Sequence, residues 1–130
     1  MKDLFNNVTI KSTLAAKART ATEKGLGVNL AGYESAAVAV NAGTITDGSH
    51  VLTLQESMSD VDLNYTNVAA ADLLGVLPTL AAANSNQVMK FGYRGAMQFL
   101  RVVSTITGAT TGGVYSVTVV LANARHLPAS

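Results

Sequence analysis

Apolar and polar residues alternate along most of this chain with the two-residue period of a half-buried β-strand. Residues 35–42 read Ser-Ala-Ala-Val-Ala-Val-Asn-Ala, with Val38 and Val40 on one face and small alanines on the other. Residues 50–56 repeat the pattern, with Leu52 and Leu54 on one face and Val51, Thr53 and Gln55 on the other. Between them stands Asp47-Gly48, a pair that accepts positive φ and suits a tight turn. The sequence therefore predicts a hairpin here. Residues 98–107 form a continuous β-branched run. Residues 114–122 alternate, with Tyr115, Val117, Val119 and Leu121 on one face and Ser116 and Thr118 on the other. The Gly/Thr-rich segment between these runs predicts a second hairpin.

Shorter strands are expected at residues 8–14, 27–30, 64–68 and 87–93. Residues 14–24 read two ways. Their alanines, lysines and Glu23 favour helix by propensity. Their apolar spacing makes no wide helical stripe, and Thr13, Thr20 and Thr22 suit an extended edge segment, which is the favoured reading. Residues 70–74 before Gly75 predict one helical turn stopped by glycine. Pro78 excludes an ordinary central strand, and residues 81–86 read as a loop. About eight short strands with turns at roughly 8–12-residue spacing predict an all-β fold. The expected form is a β-sandwich or jelly-roll-like single domain over residues 8–126. It carries an extended N-terminal arm (1–7), a C-terminal tail (127–130) and at most one short helical turn.

Composition sharpens this picture. A chain of 130 residues can bury a core as one domain, and with no cysteine it must do so by packing alone. Hydrophobic residues make up 48 % and charged residues 13 %, against a usual charged fraction of roughly 25 %. A surface this poor in charge suits a domain partly covered by neighbours, although an alanine-rich monomer also fits. Charge is segregated. Residues 1–24 hold Lys2, Lys11, Lys17, Arg19 and Lys24 against Asp3 and Glu23. Residues 25–89 hold only acids, and residues 90–130 only Lys90, Arg94, Arg101 and Arg125. Either the fold has one acidic and one basic face, or basic strands lie beside acidic ones.

Chemical motifs are sparse. His50 and His126 are the two histidines, and no G-x-S-x-G elbow occurs. His50, at a strand start past a turn, reads as an exposed polar residue. Asp60-Val61-Asp62-Leu63-Asn64 opens like a calcium loop, but Tyr65 and Ala71 stand where glycine and glutamate belong. Gly25-Leu26-Gly27 lacks the third glycine of a phosphate loop. Nothing shows that Glu34 and Glu56 meet as glycosidase carboxylates. Tyr33, Tyr93 and Tyr115 read as wall residues with wet hydroxyls. Tyr65 near Asp60, Asp62 and Asn64 is the one grouping that resembles a sugar platform. The expectation is no enzyme, cofactor or metal, and no nucleic-acid or membrane partner. No signal peptide is evident, and synthesis in a bacterial cytoplasm is expected.

Several phrases occur together in order: Gly32-Tyr33-Glu34-Ser35, Thr46-Asp47-Gly48, Gln55-Glu56-Ser57, Asp72-Leu73-Leu74-Gly75, Gly92-Tyr93-Arg94-Gly95, Arg101-Val102-Val103 and Thr107-Gly108-Ala109-Thr110-Thr111-Gly112. In these the chain resembles the small proteins encoded among tailed-bacteriophage head genes, some of which are capsid decoration (cement) proteins. Ser57-Met58-Ser59-Asp60 stands where similar sequences carry a more acidic turn. The resemblance implies a β-sandwich on the capsid exterior that binds the major capsid protein, often as a homotrimer. Within that reading Lys2, Lys11, Lys17 and Arg19 are candidate capsid-facing residues. Ala36, Ala37 and Ala39 are candidate contacts between copies. A carbohydrate- or host-surface-binding module and a head–tail or tail component are the competing readings.

Overall fold

The computed structural model describes residues 3–126. Among these residues eleven strands follow one another: β1 (Val8–Arg19), β2 (Glu23–Lys24), β3 (Val28–Asn29), β4 (Tyr33–Ile45), β5 (Ser49–Ser57), β6 (Thr66–Asn67), β7 (Leu73–Leu74), β8 (Thr79–Leu80), β9 (Val88–Tyr93), β10 (Phe99–Thr107) and β11 (Gly113–Ala124). All pairings are antiparallel and form two sheets. One has the order β1-β11-β4-β9-β7. The other has the order β2-β10-β5-β6, with β3 also on β10 and β8 also on β5.

The period-two pattern decides which side of each strand is buried. Val38 and Val40 of β4 and Val117 and Val119 of β11 face Leu52 and Leu54 of β5 and Leu100 and Val102 of β10 in one shared core. Each such side chain contributes about 1.5–3 kcal/mol on leaving water. The all-β sandwich is therefore as the alternation predicts. Residues 14–24 are extended, as favoured: β1 runs on to Arg19 and β2 then joins the opposite sheet.

Neither predicted hairpin exists. β4 and β5 lie in different sheets, and so do β10 and β11. β4 pairs with β11, and β5 pairs with β10. The two chain segments form one antiparallel ribbon that folds over at a corner made by residues 46–48 and 108–112. Alternation fixes the buried face of a strand but not its neighbour, so both arrangements satisfy the same pattern. Helical turns also exceed the single one expected. Among the described residues three 3₁₀ turns occur, at Asp62–Asn64, Ala70–Asp72 and Ala82–Asn84. Each carries short polar or small residues that make tight local bonds.

Candidate assembly surface

The outer face of the five-stranded sheet follows directly from register. Strand β4 turns Ala37, Ala39 and Asn41 outward, opposite Val120, Thr118 and Ser116 of β11. The same β4 residues meet Gly92, Lys90 and Val88 of β9 on the other side. With Ile10 paired to Val120 and Leu74 to Gly92, one row crosses all five strands as Ile10, Val120, Ala37, Gly92 and Leu74. Ile10, Leu74 and Val88 are 64 %, 48 % and 73 % exposed. Lys90 is the one charged side chain on this face along β11, β4 and β9. Small residues keep the face flat, because alanine and glycine add little above the backbone. Ala36 does not belong to it. One residue out of phase, it packs inward against the core, so the three candidate alanines do not share a face.

The candidate basic residues separate in the same way. Lys2 lies outside the described residues. Lys11 is an exposed member of β1 and belongs to the sheet, not to a free arm. Lys17 pairs with Glu23 at 2.6 Å on the surface. Arg19 is only 3 % exposed and is not available to a partner. Its guanidinium lies 4.9 Å over the Tyr115 ring and donates to the carbonyls of Ala15, Lys17 and Tyr115, at the register shift between Leu14 and Lys17. It also bonds Glu23. Burial would raise the Glu23 carboxyl, but Lys17 and Arg19 outweigh it and hold the group below its usual range.

Charge segregation along the chain resolves into pairing between strands. Asp62, from the acidic middle, takes Lys24 at 3.0 Å and Arg101 at 2.7 Å. These contacts, Arg101's first, hold its carboxyl below the usual range. Tyr65 donates to Asp60, and the Asn64 amide donates to Ser59. The calcium-like opening is thus built into ion pairs and hydrogen bonds of the fold. Among the described residues no group of three metal-ligating side chains is present. Tyr65 offers no sugar platform either, because its face is covered by Arg101 at 4.0 Å. Burial first, then Asp60, raises its hydroxyl well above the usual tyrosine range.

His50 and Tyr115 differ from expectation. His50 is fully buried. Its Nδ1 lies 3.0 Å from the Tyr115 hydroxyl and its Nε2 lies 3.1 Å from the Asp47 carbonyl. Ser104 shares the same hydroxyl. The Tyr115 hydroxyl is dry, and burial raises it. Periodicity placed both residues on the inward face; the polar character of His50 hid that placement.

At one end of the sandwich a cleft of about 460 Å³ is lined by Leu30, Tyr33, Ala36, Met58, Tyr93 and Met97, among others. Glu34 and Arg125 stand 3.8 Å apart at its mouth, each side chain 65 % exposed. Tyr93 donates to Glu56 at 2.7 Å and accepts the Met97 N–H. Glu56 is thereby committed to an internal bond and Glu34 to a surface pair.

Among the described residues no helix is long and apolar enough to cross a membrane. No protein-family model matches the chain, and no curated protein matches it. Among solved structures the chain is similar to the SPBc2 prophage-derived protein YomS, with a TM-score of 0.48 and 14 % identity over 92 % of this chain and 98 % of that one.

Proposed function

We propose that this protein is a structural component of a tailed-bacteriophage virion that binds the outside of the capsid and stabilises it. The observation that carries the reading is the flat outer face of the five-stranded sheet, which presents alanine, glycine, threonine and exposed valine with a single lysine. A face of this kind suits burial against a neighbour, because little desolvation of charge opposes it. The resemblance to head-gene proteins supports the major capsid protein as that neighbour. Copies arranged on a lattice then gain by multivalency, so each contact can be weak. The homotrimer that the resemblance implies remains part of this reading.

The side chains with chemical potential are engaged inside the fold. His50, Arg19, Asp62 and Glu56 each hold strands or loops together. That supports a binding role over a catalytic one. The test is to mix purified protein with undecorated capsids and image them. Regular added density on the outer shell is expected; bare shells at saturating protein would reject the proposal. Removal of residues 1–7 is the appropriate test of an arm, since a cut through residue 11 would also delete the β1 pairing from Val8 to Lys11.

A further inference from the structure

Strand edges invite pairing, and apart from residues 88–91 of β9, which β7 leaves unpaired, this fold keeps most of its own short or covered. Among the described residues, three of the four strands that end the two sheet orders (β7, β2 and β6) are two residues long. The fourth, β1, has twelve residues. Its second half is guarded. The Leu26 N–H occupies the Thr13 carbonyl, and the Arg19 guanidinium occupies the carbonyls of Ala15 and Lys17. Register shifts on either side of Leu14 further break the edge. These protections stop at Thr13. Residues 8–12 keep a regular register with β11 on one side and no strand on the other.

We infer that residues 8–12 pair antiparallel with the same residues of a second copy, about a two-fold axis at Ile10, joining two five-stranded sheets into one. The segment is self-complementary. In this register Ile10 faces Ile10 of the second copy, Val8 faces Ser12, and Thr9 faces Lys11. No lysine meets a lysine, and no acid lies in the segment. A shift by one residue would turn Ile10 toward the opposite face, which fixes the parity. Ile10 is 64 % exposed and ends the apolar row that runs through Val120, Ala37 and Gly92 to Leu74. Pairing covers it and continues that row across the axis. Main-chain bonds supply affinity and Ile10 supplies the register. The contact is independent of capsid binding. It joins copies two by two, and it links trimers where those form.

The chain contains no cysteine, so one engineered cysteine reports cleanly. Directly opposed Cβ atoms in such a pair lie about 4.5–5.5 Å apart, close to disulfide reach. Ile10→Cys and Val88→Cys are compared in the free, full-length protein under mild oxidation. Both sites are exposed, and Val88 sits on β9 of the same face, away from the axis. The expected result is a reducible dimer at least tenfold faster for I10C than for V88C. Native mass spectrometry of the unmodified protein should show even-numbered species that Ile10→Lys shifts to half their mass. Equal crosslinking rates, or an unmodified protein that stays odd-numbered or monomeric at high concentration, would overturn the inference. Capsid binding is read separately, so its failure leaves this result standing.

Discussion

The carboxylate of Asp47 accepts the Gly112 N–H at 2.6 Å, and the Gly112 carbonyl accepts the N–H groups of Thr46 and Asp47 in return. This reciprocal clasp ties together the two places where the chain changes sheet. The Asp47 carboxylate also accepts the N–H groups of Thr110 and Thr111. Asp47 therefore fastens the opposite limb of the ribbon and does not close a hairpin of its own. Gly112 is required by two constraints. Its φ is +80°, and an added Cβ would collide with the Arg19 carbonyl oxygen. Gly112→Ala is predicted to cost about 3 kcal/mol or more, measured by urea unfolding, because backbone strain and a backbone clash add.

The same clasp sets an acid dependence. Backbone N–H groups, Gly112's first and then Thr111's, hold the Asp47 carboxyl below the usual carboxylate range. An unfolded aspartate titrates near about 3.9. The folded value lies lower, so the stabilisation is fully present above the unfolded value and is lost as pH falls through the folded one. Asp47→Asn should melt below the parent protein at pH 7, and the gap should narrow as pH falls below the unfolded aspartate value. Thermal melts across pH 2–7 decide this; a gap independent of pH would show that charge plays no part.

The amount of this legible in the sequence follows from what alternation encodes. Val38, Val40, Leu52 and Leu54 announced their inward faces, and with them the sandwich. Pairing was not legible, because Asp47-Gly48 has the chemistry of a hairpin turn whether its strands return beside each other or cross between sheets. The flat outer face was half legible: Ala37 and Ala39 follow from parity with Val38 and Val40, and the same parity places Ala36 inside. Arg19 reads from residue type as a surface cation, yet it is buried. The register shift that gives it three carbonyl partners exists only after β1 meets β11.

Tyr115 joins both sheets through its hydroxyl. Nε2 of His50 donates to the Asp47 carbonyl, so Nδ1 accepts from Tyr115 in the neutral ring, and Ser104 donates to Tyr115. Tyr115→Phe keeps the ring and removes the hydroxyl from a fully buried chain. A loss of about 1–3 kcal/mol is predicted. Nitrogen chemical shifts of His50 should show the Nε2–H tautomer in the parent protein; an Nδ1–H tautomer would contradict the donor order.

Arg19 and Lys17 are both cations on β1 and both contact Glu23, yet their substitutions should differ sharply. Lys17 is exposed, and Lys17→Ala should cost about 0–1 kcal/mol. Arg19→Ala leaves the buried Tyr115 carbonyl and two part-buried carbonyls without donors, removes a buried side chain, and is predicted to cost about 3 kcal/mol or more. Denaturant unfolding of the two variants compares them directly. Similar costs would mean that water replaces the guanidinium freely.

Ala37 provides the sharpest test of the proposed capsid contact. It lies mid-row on β4, the central strand of its sheet, and its side chain points away from the core. Ala37→Glu puts an uncovered carboxylate there at little cost to the isolated fold, since the face is open to water and only strand propensity opposes the change, by less than about 1 kcal/mol. Burial of that carboxylate against a partner is expensive unless a cation awaits it. Thr105→Glu is the control, being an exposed position on β10 of the opposite sheet. The expected outcome is near-parental unfolding for both variants, with capsid occupancy reduced at least tenfold for A37E and unchanged for T105E. Loss confined to T105E would move the contact to the other sheet. Full occupancy by both would remove the outer face of either sheet from the interface and leave the strand edges and loops to make it.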